Sequence, residues 1–285
     1  MKSPEIVLCT DLDRTVIPNG AQPESPAART LLRRLARRPE STVVYVSGRH
    51  RDLLEAAIRD YDLPVPDYAI GDVGTTIYQV VGGDWRPWDA WAREIAPDWR
   101  GCGREDLAGL LAELDGLRPQ EPEKQNDFKL SFYAPAGPRP EPLLAQIRER
   151  LEARGIRASL IWSIDEAAGC GLLDVLPASA NKRHAIEFLM GEKGFSDTQT
   201  VFAGDSGNDL EVLVSGLQAV LVRNAPDEVR EEAIRRAAAA GRPDRLYLAR
   251  GGFLGMNGNY SAGVLEGLVH FLPHVAAWLR PDAVD

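Results

Sequence analysis

Two aspartates lie two residues apart at the end of the first apolar segment of the chain. Residues 5–10 read EIVLCT, and Asp11 and Asp13 follow directly. This short apolar run predicts a buried strand, and side chains two apart at a strand end can face the same side. One carboxylate can attack phosphorus, while the other donates a proton to the leaving alcohol and later accepts one from water. The pair therefore predicts phosphoryl transfer through an aspartyl-phosphate.

Three further polar segments could hold the phosphoryl group and a metal ion. Ser47-Gly48-Arg49 follows a second apolar run, Gly204 to Asp209 (GDSGND) follows a third, and Lys182 stands at the start of a predicted helix. The Ser47 hydroxyl and the Lys182 ammonium can bind phosphoryl oxygens, with Gly48 and Arg49 beside them.

A carboxylate that attacks a phosphoryl group meets strong repulsion between like charges. Mg²⁺ removes this repulsion, and it accepts one or two carboxylates together with other oxygen ligands. Asp205 is the natural second carboxylate ligand beside Asp11, and Asp209, one helical turn further on, would orient the site.

The elements that carry these residues alternate between strands and helices. The sequence predicts strands over residues 5–10, 42–46, 200–203 and 219–222, with helices over residues 25–38, 51–60 and 181–190. This rhythm predicts parallel crossover units, and the carboxyl ends of parallel strands share one edge of a sheet, where ligands bind. We therefore expect an α/β fold with a doubly wound parallel-sheet core.

A segment of different composition interrupts this alternation of strands and helices. Residues 82–140 hold most of the tryptophans and many prolines, followed by a helix over residues 141–154 and two strands near residues 159–164 and 172–176. The block predicts an inserted α+β cap domain at residues 82–177, with residues 1–81 and 178–285 forming the core domain.

Each short motif alone has an ordinary structural explanation. D-x-D-x-T suits a strand-to-turn junction, GDSGND suits a helix cap, and a single lysine is usually exposed. Four such segments in one order, each at the end of the appropriate element, favour a functional site instead.

The set resembles the haloacid dehalogenase superfamily of phosphatases. The resemblance implies that Asp11 is the nucleophile, that Asp13 is the general acid and base, and that Ser47 and Lys182 bind phosphate. It also implies Mg²⁺ held by Asp11, Asp205 and the backbone carbonyl of Asp13, with Asp209 as a further acidic residue of the metal site. Because the long insertion lies between Ser47 and Lys182, the cap is similar to the family's second type, a lid over the carboxyl edge.

Looser similarities point to the sucrose-phosphate phosphatase branch. They lie in the segments DVGTTIY (72–78), KLSFY (129–133), LDVLP (173–177), LVRNA (221–225) and GVLEG (263–267). The resemblance implies a sugar phosphate as substrate, with sucrose 6-phosphate first and mannosylfructose-phosphate or glucosylglycerol-phosphate as alternatives. Gln125, Lys129 and Ser131 of the cap, and Asn208 and Asn224 of the core, are the candidate substrate contacts.

Two other classes of function remain open from the sequence. A phosphomutase would use a similar nucleophile but needs cap arginines that hold a bisphosphate, and no such pattern is visible. A regulatory phosphosugar-binding module would have lost Asp11 or Asp13, and both are present. Arg14 stands where relatives carry a small residue, and the tryptophans at 85, 88, 91 and 99 are expected to form the core of the cap.

Composition limits the partners. The formal net charge of −9 argues against a broad nucleic-acid or anionic-membrane surface, although a metal and a few local bases can still attract an anionic substrate. Three cysteines without metal-ligand spacing favour a reducing compartment, and neither a leader nor a membrane-spanning run is evident. We expect a cytoplasmic enzyme, a monomer or weak homodimer.

Overall fold

The computed structural model describes residues 6–135, 137, 139–165 and 168–280. Its strands are β1 (Ile6–Thr10), β2 (Ser41–Val46), β3 (Tyr68–Gly71), β4 (Thr76–Val81), β5 (Asp84–Pro87), β6 (Arg118–Pro119), β7 (Leu130–Pro135), β8 (Ala158–Asp165), β9 (Cys170–Pro177), β10 (Thr200–Gly204), β11 (Gln218–Leu221) and β12 (Leu246–Leu248). They form an eight-stranded sheet, in the order β12-β11-β10-β1-β2-β3-β4-β5, and a four-stranded sheet, in the order β6-β7-β9-β8.

The larger sheet is parallel from β12 to β3, and β4 and β5 add an antiparallel hairpin at one edge. Every residue of β1, β2, β10 and β11 is buried, as expected for parallel strands covered on both faces. From β1 the chain builds outward through β2 and β3 on one side and later through β10 and β11 on the other. The crevice between β1 and β10 is therefore the topological switch point, where open α/β sheets bind ligands.

Helices cover both faces of this sheet, which confirms the predicted α/β class. The helices are α1 (Ala28–Ala36), α2 (Arg51–Asp60), α3 (Asp89–Ile95), α4 (Arg104–Leu111), α5 (Glu141–Glu152), α6 (Lys182–Lys193), α7 (Leu210–Leu213), α8 (Asp227–Ala239), α9 (Ser261–Phe271) and α10 (Ala276–Leu279). Helices α1, α2, α9 and α10 pack on one face, and α3, α6, α7 and α8 pack on the other. Among the described residues, none of these helices has the length and apolarity needed to cross a membrane.

The smaller sheet is antiparallel and packs one face against α4 and α5. Leu130 and Phe132 of β7 are buried in this apolar cluster with Leu144 of α5, as the alternation of the strand predicts. Ser131 and Tyr133 therefore lie on the opposite face of the sheet.

The tryptophan-rich segment differs from the prediction. Trp85 of β5 and Trp91 of α3 are buried against the larger sheet, and the ring of Trp88 contacts Phe188 of α6 with 5.6 Å between centroids. Only Trp99 of the four predicted cap tryptophans packs in the cluster of the smaller sheet. The expectation was wrong for the other three tryptophans, because their spacing in the sequence does not indicate which of the two sheets they pack against. The cap boundary at residue 82 stays a prediction, although β5 and α3 pack with the core.

Candidate active site

Three neighbouring strands deliver the predicted motifs to one edge. Asp11 follows β1, Ser47 follows β2 and Asp205 follows β10, and the Asp11 amide donates to the Ala203 carbonyl of β10 at 2.9 Å. The fourth segment arrives on α6, whose first residue is Lys182. Asn181 caps this helix, because its side chain accepts a hydrogen bond from the His184 amide.

Lys182 joins two carboxylates at the centre of the site. Its Nζ atom lies 2.7 Å from Oδ1 of Asp11 and 2.7 Å from Oδ1 of Asp209. Burial alone would lower the pKa of Lys182, but the charges of Asp209 and Asp11 outweigh it and raise the pKa above its usual value. Lys182 is therefore a fixed positive charge beside the predicted nucleophile.

The buried position of Asp11 disfavours its charge. Burial raises the pKa of Asp11 to about 7, and repulsion from Asp209 and Asp205 adds to the effect of burial, while Lys182 opposes it. A cation bound at this carboxylate would restore its ionised form.

Asp209 orients the end of β10. Its Oδ2 atom accepts hydrogen bonds from the amides of Asp205 at 3.1 Å and Ser206 at 3.2 Å, while its Oδ1 atom faces Lys182. A Cβ atom on Gly204 would lie 2.6 Å from the Asp209 carboxyl group, so this close approach requires glycine. Asp209 therefore binds the backbone at Asp205 and Ser206 and also contacts Lys182.

The carboxylates fit a divalent cation. One carboxylate oxygen from each of Asp11, Asp205 and Asp209 lies within 4.8 Å of the others, and all three residues are buried. The Oδ2 atom of Asp205 is buried without a hydrogen-bond partner, and burial followed by repulsion from Asp209 raises the pKa of this residue to about 6. Because Asp209 already accepts from Lys182 and two amides, Asp11 and Asp205 are the residues that would hold Mg²⁺.

Asp13 is engaged by a base and an amide. Arg49 donates from Nε to Oδ2 at 2.8 Å and from Nη2 to Oδ1 at 2.6 Å, and Asn19 donates to Oδ1 at 2.7 Å. Burial would raise the pKa of Asp13, but these donors outweigh it and hold the pKa below its usual value. The carboxylate of Asp13 is therefore occupied by Arg49 and Asn19, and its backbone carbonyl remains the predicted metal ligand.

A cavity of about 490 Å³ lies in front of these groups. Its walls include the predicted phosphate-binding residues Ser47, Gly48 and Arg49, and also Asn208, whose Oδ1 atom lies 3.2 Å from Lys182 Nζ. The residues that line it come from the loops that follow β1, β2, β10 and β11 and, through Leu53, from α2. The structure thus brings Ser47, Gly48, Arg49 and Asn208 together around one space, whereas Asn224 lines a neighbouring cavity.

The cap candidates lie elsewhere and contact one another. The Gln125 side chain exchanges hydrogen bonds with the backbone of Ser131, donating at 2.8 Å and accepting at 2.7 Å. Lys129 and Ser131 are buried, and both donate to the Lys124 carbonyl, at 3.0 and 3.2 Å. None of the three lines the cavity at Asp11. Their assignment as sugar contacts stays a prediction.

Asn224 joins two loops beside the site. Its side chain donates to the Arg14 carbonyl at 2.6 Å and accepts from the Tyr260 amide at 2.7 Å. Both ends of the amide are therefore occupied by backbone. The sequence analysis did not identify Asn19 and gave no role to Arg14. Asn19 binds Asp13 and Arg14 contacts Asp205 because the backbone of Arg14 is left-handed, and residue spacing does not reveal this turn.

This doubly wound fold, with a carboxylate pair after β1 and a largely buried lysine and acidic group beside it, defines a haloacid dehalogenase-type phosphatase, a phosphoric monoester hydrolase. The chain belongs to the sucrose-6F-phosphate phosphohydrolase family, whose model matches residues 4–272.

Individual relatives agree with this membership. A protein of Nitrosococcus oceani described as a HAD-like hydrolase is 60% identical over 97% of this chain and 74% of its own length. The mannosylfructose-phosphate phosphatase of Agrobacterium fabrum is 27% identical over 93% of this chain and 96% of its own length. The chain spans only 59% and 53% of the sucrose-phosphatases of tobacco and Arabidopsis that it also matches.

Among solved structures, the chain is similar to the sucrose-phosphatase of Synechocystis sp. PCC6803 in complex with sucrose and phosphate. The TM-score is 0.69 with 26% identity, and the match covers 94% of this chain and 98% of that chain.

Proposed function

We propose that the chain is a Mg²⁺-dependent sugar-phosphate phosphatase that works through an aspartyl-phosphate on Asp11. Sucrose 6-phosphate is the best candidate substrate. The observation that carries the proposal is the contact of the largely buried Lys182 with Asp11 and Asp209, together with Asp205, whose carboxylate oxygen lies within 4.8 Å of theirs.

The residues of the site suggest a sequence of events. The phosphoryl group enters the cavity against Ser47 and Lys182, which bind its oxygens. Mg²⁺ held by Asp11 and Asp205 would offset the repulsion between the carboxylates and the phosphoryl oxygens. Asp11 attacks phosphorus, and Asp13 gives a proton to the leaving sugar oxygen.

The second half of the reaction reverses the role of Asp13. Its carboxylate accepts a proton from the water that attacks the aspartyl-phosphate, and phosphate leaves with Asp11 restored. Asp13 must release Arg49 before it can carry a proton, because the two-point ion pair favours the ionised form. Arg49, freed in this way, is a candidate partner for a phosphoryl oxygen.

The family and the Synechocystis structure support sucrose 6-phosphate. Mannosylfructose-phosphate is the second candidate, because the Agrobacterium enzyme that carries this name matches almost end to end. A cytoplasmic location and a monomeric or weakly dimeric state stay predictions.

The decisive experiment is phosphate release from a panel of phosphorylated mono- and disaccharides, with Mg²⁺ and with chelator, using Asp11→Asn as the inactive control. We expect sucrose 6-phosphate to give the highest kcat/KM and chelator to abolish turnover. A panel led by mannosylfructose-phosphate, a monosaccharide phosphate or a non-sugar ester would overturn the substrate assignment. Turnover that survives exhaustive chelation would overturn the metal dependence.

A further inference from the structure

Arg14 occupies an unusual place beside the predicted metal ligands. Its Nε atom lies 3.2 Å from Oδ2 of Asp205, and its side chain is 42% exposed while that of Asp205 is 2% exposed. Among the other described groups around Asp205, Thr15 lies 3.3 Å from Oδ1, and the neighbouring carboxylates Asp11 and Asp209 are paired with Lys182. Arg14 is therefore the cation in contact with Asp205.

The backbone fixes this position. Arg14 has a φ of 58°, a left-handed conformation that costs energy for any residue with a side chain. Two hydrogen bonds hold it there: the Arg14 amide donates to Asn19 at 2.8 Å, and its carbonyl accepts from Asn224 at 2.6 Å. The guanidinium is thus directed at Asp205 by a turn that two amide side chains stabilise.

The contact between Arg14 and Asp205 offsets the charge of the carboxylate but does not give its Oδ2 atom a hydrogen bond. Both Arg14 Nε and Asp205 Oδ2 are buried atoms without a hydrogen-bond partner, so their separation is that of an ion pair with poor alignment. A small divalent cation that coordinates Oδ2 directly would satisfy this oxygen better than the guanidinium does.

We propose that Arg14 is an internal counter-ion of Asp205 that competes with Mg²⁺ and so sets the affinity of the site for the metal. Before the metal binds, Arg14 offsets the charge of a buried carboxylate. Binding requires the guanidinium to give up Asp205 and turn toward the cavity that its side chain already lines. Arg14 is a positioning residue in this scheme, and the inference rests on the proposed metal-dependent function.

Isothermal titration of the full-length protein with MgCl₂ tests the proposal without an activity readout. Because the pair is partly exposed and screened, Arg14→Gln should bind Mg²⁺ more tightly than the wild type by about 3- to 10-fold. Arg14→Met, also unbranched and neutral, should do the same, and Arg14→Lys should stay within about 2-fold of the wild type.

Arg223→Gln is the matched control. Arg223 lines a neighbouring cavity of about 600 Å³ that shares Arg14 as a wall, and it contacts the Asn257 carbonyl rather than Asp205. The Arg223→Gln variant loses one positive charge near the site, as Arg14→Gln does. Its affinity for Mg²⁺ should therefore differ from that of the wild type by less than about 2-fold. An equal gain in Arg223→Gln and Arg14→Gln would show a general field effect and overturn the proposal.

Thermal unfolding gives a second readout. In the presence of chelator, Arg14→Gln should melt at a lower temperature than the wild type, because Asp205 loses its counter-ion. Addition of Mg²⁺ should then raise the melting temperature of Arg14→Gln by more than it raises that of the wild type. If Arg14→Gln and Arg14→Met fold but bind Mg²⁺ no more tightly than the wild type, the proposed role of Arg14 is refuted and the proposed metal dependence is unaffected. If the wild type itself bound no Mg²⁺, both this inference and the proposed metal dependence would fail.

Discussion

Arg49 and Asp13 form a two-point ion pair across the mouth of the site, with Nε to Oδ2 at 2.8 Å and Nη2 to Oδ1 at 2.6 Å. The pair lowers the pKa of Asp13 and so favours the ionised form of the predicted acid. It also places the guanidinium on the wall of that cavity, within the space a phosphoryl group would enter. Protonation of Asp13 and occupation of the cavity are therefore linked through one side chain.

Arg49→Ala should reduce stability in a pH-dependent way. A carboxyl group whose folded pKa is lowered contributes stability above its unfolded pKa and loses it as the pH falls through the folded value. We expect a loss of about 0.5–1 kcal/mol at pH 7, because the side chains of the pair are 27% and 40% exposed, and a smaller loss below about pH 4. Urea unfolding at both pH values measures this. Arg51→Ala, which breaks the exposed pair with Glu55, is the control; a loss independent of pH would contradict the interpretation.

Asp11→Asn should abolish turnover and keep the fold. The amide has the same size but cannot attack phosphorus, and Lys182 retains Asp209 as its partner. Since burial disfavours the charge of Asp11, the metal-free variant should melt at or above the wild-type temperature at pH 8. Residual activity within about tenfold of wild type, only about 1.4 kcal/mol in the barrier, would rule out Asp11 as nucleophile.

Mg²⁺ binding should strengthen as the pH rises from about 5 to about 7 and then level off. The folded pKa values of Asp11, about 7, and Asp205, about 6, exceed their unfolded values, so the metal-free protein binds more protons folded than unfolded. Its stability should therefore fall as the pH rises through this range, while bound Mg²⁺ replaces the protons. Melting curves with chelator and with Mg²⁺ across the range measure both effects. Parallel curves at all pH values would contradict this linkage.

Lys129→Ala should separate a sugar contact from a structural one. If Lys129 binds the sugar, kcat/KM for sucrose 6-phosphate should fall about 10- to 100-fold, and hydrolysis of p-nitrophenyl phosphate should change little. Gln125→Ala is the comparison: it should mainly lower stability, by about 1–2 kcal/mol, because the Gln125 amide pairs with the Ser131 backbone. Equal losses on both esters in Lys129→Ala would indicate that its bond to the Lys124 carbonyl supports the cap.

The strands that carry chemistry were predictable because their sequence is simple. A fully buried parallel strand appears as an uninterrupted apolar run, and the polar residues after it must lie at the carboxyl edge. Asp11, Ser47 and Asp205 were placed in this way, and Lys182 was placed by its position at a helix start.

The other features depend on contacts that spacing does not encode. The hairpin of β4 and β5 joins the larger sheet because β4 pairs with β3, and Trp85 packs in the core of that sheet. Its tryptophan and proline do not distinguish it in sequence from the segment that follows it. The Gln125 amide could equally have faced a ligand, and only the path of the backbone decides that it pairs with Ser131. Arg14 meets Asp205 across 191 positions of sequence through a left-handed turn.

The cavity at Asp11 is lined by residues of the core, and Gln125, Lys129 and Ser131 of the predicted cap are not among them. Any unhindered phosphate monoester small enough to enter it should therefore be consumed to some extent, whatever alcohol it carries. Rapid hydrolysis of an artificial ester would show that the catalytic residues are functional but would not identify the physiological substrate. A screen should accordingly rank compounds by how far kcat/KM exceeds that of the smallest reactive ester, since that surplus measures recognition beyond the phosphate.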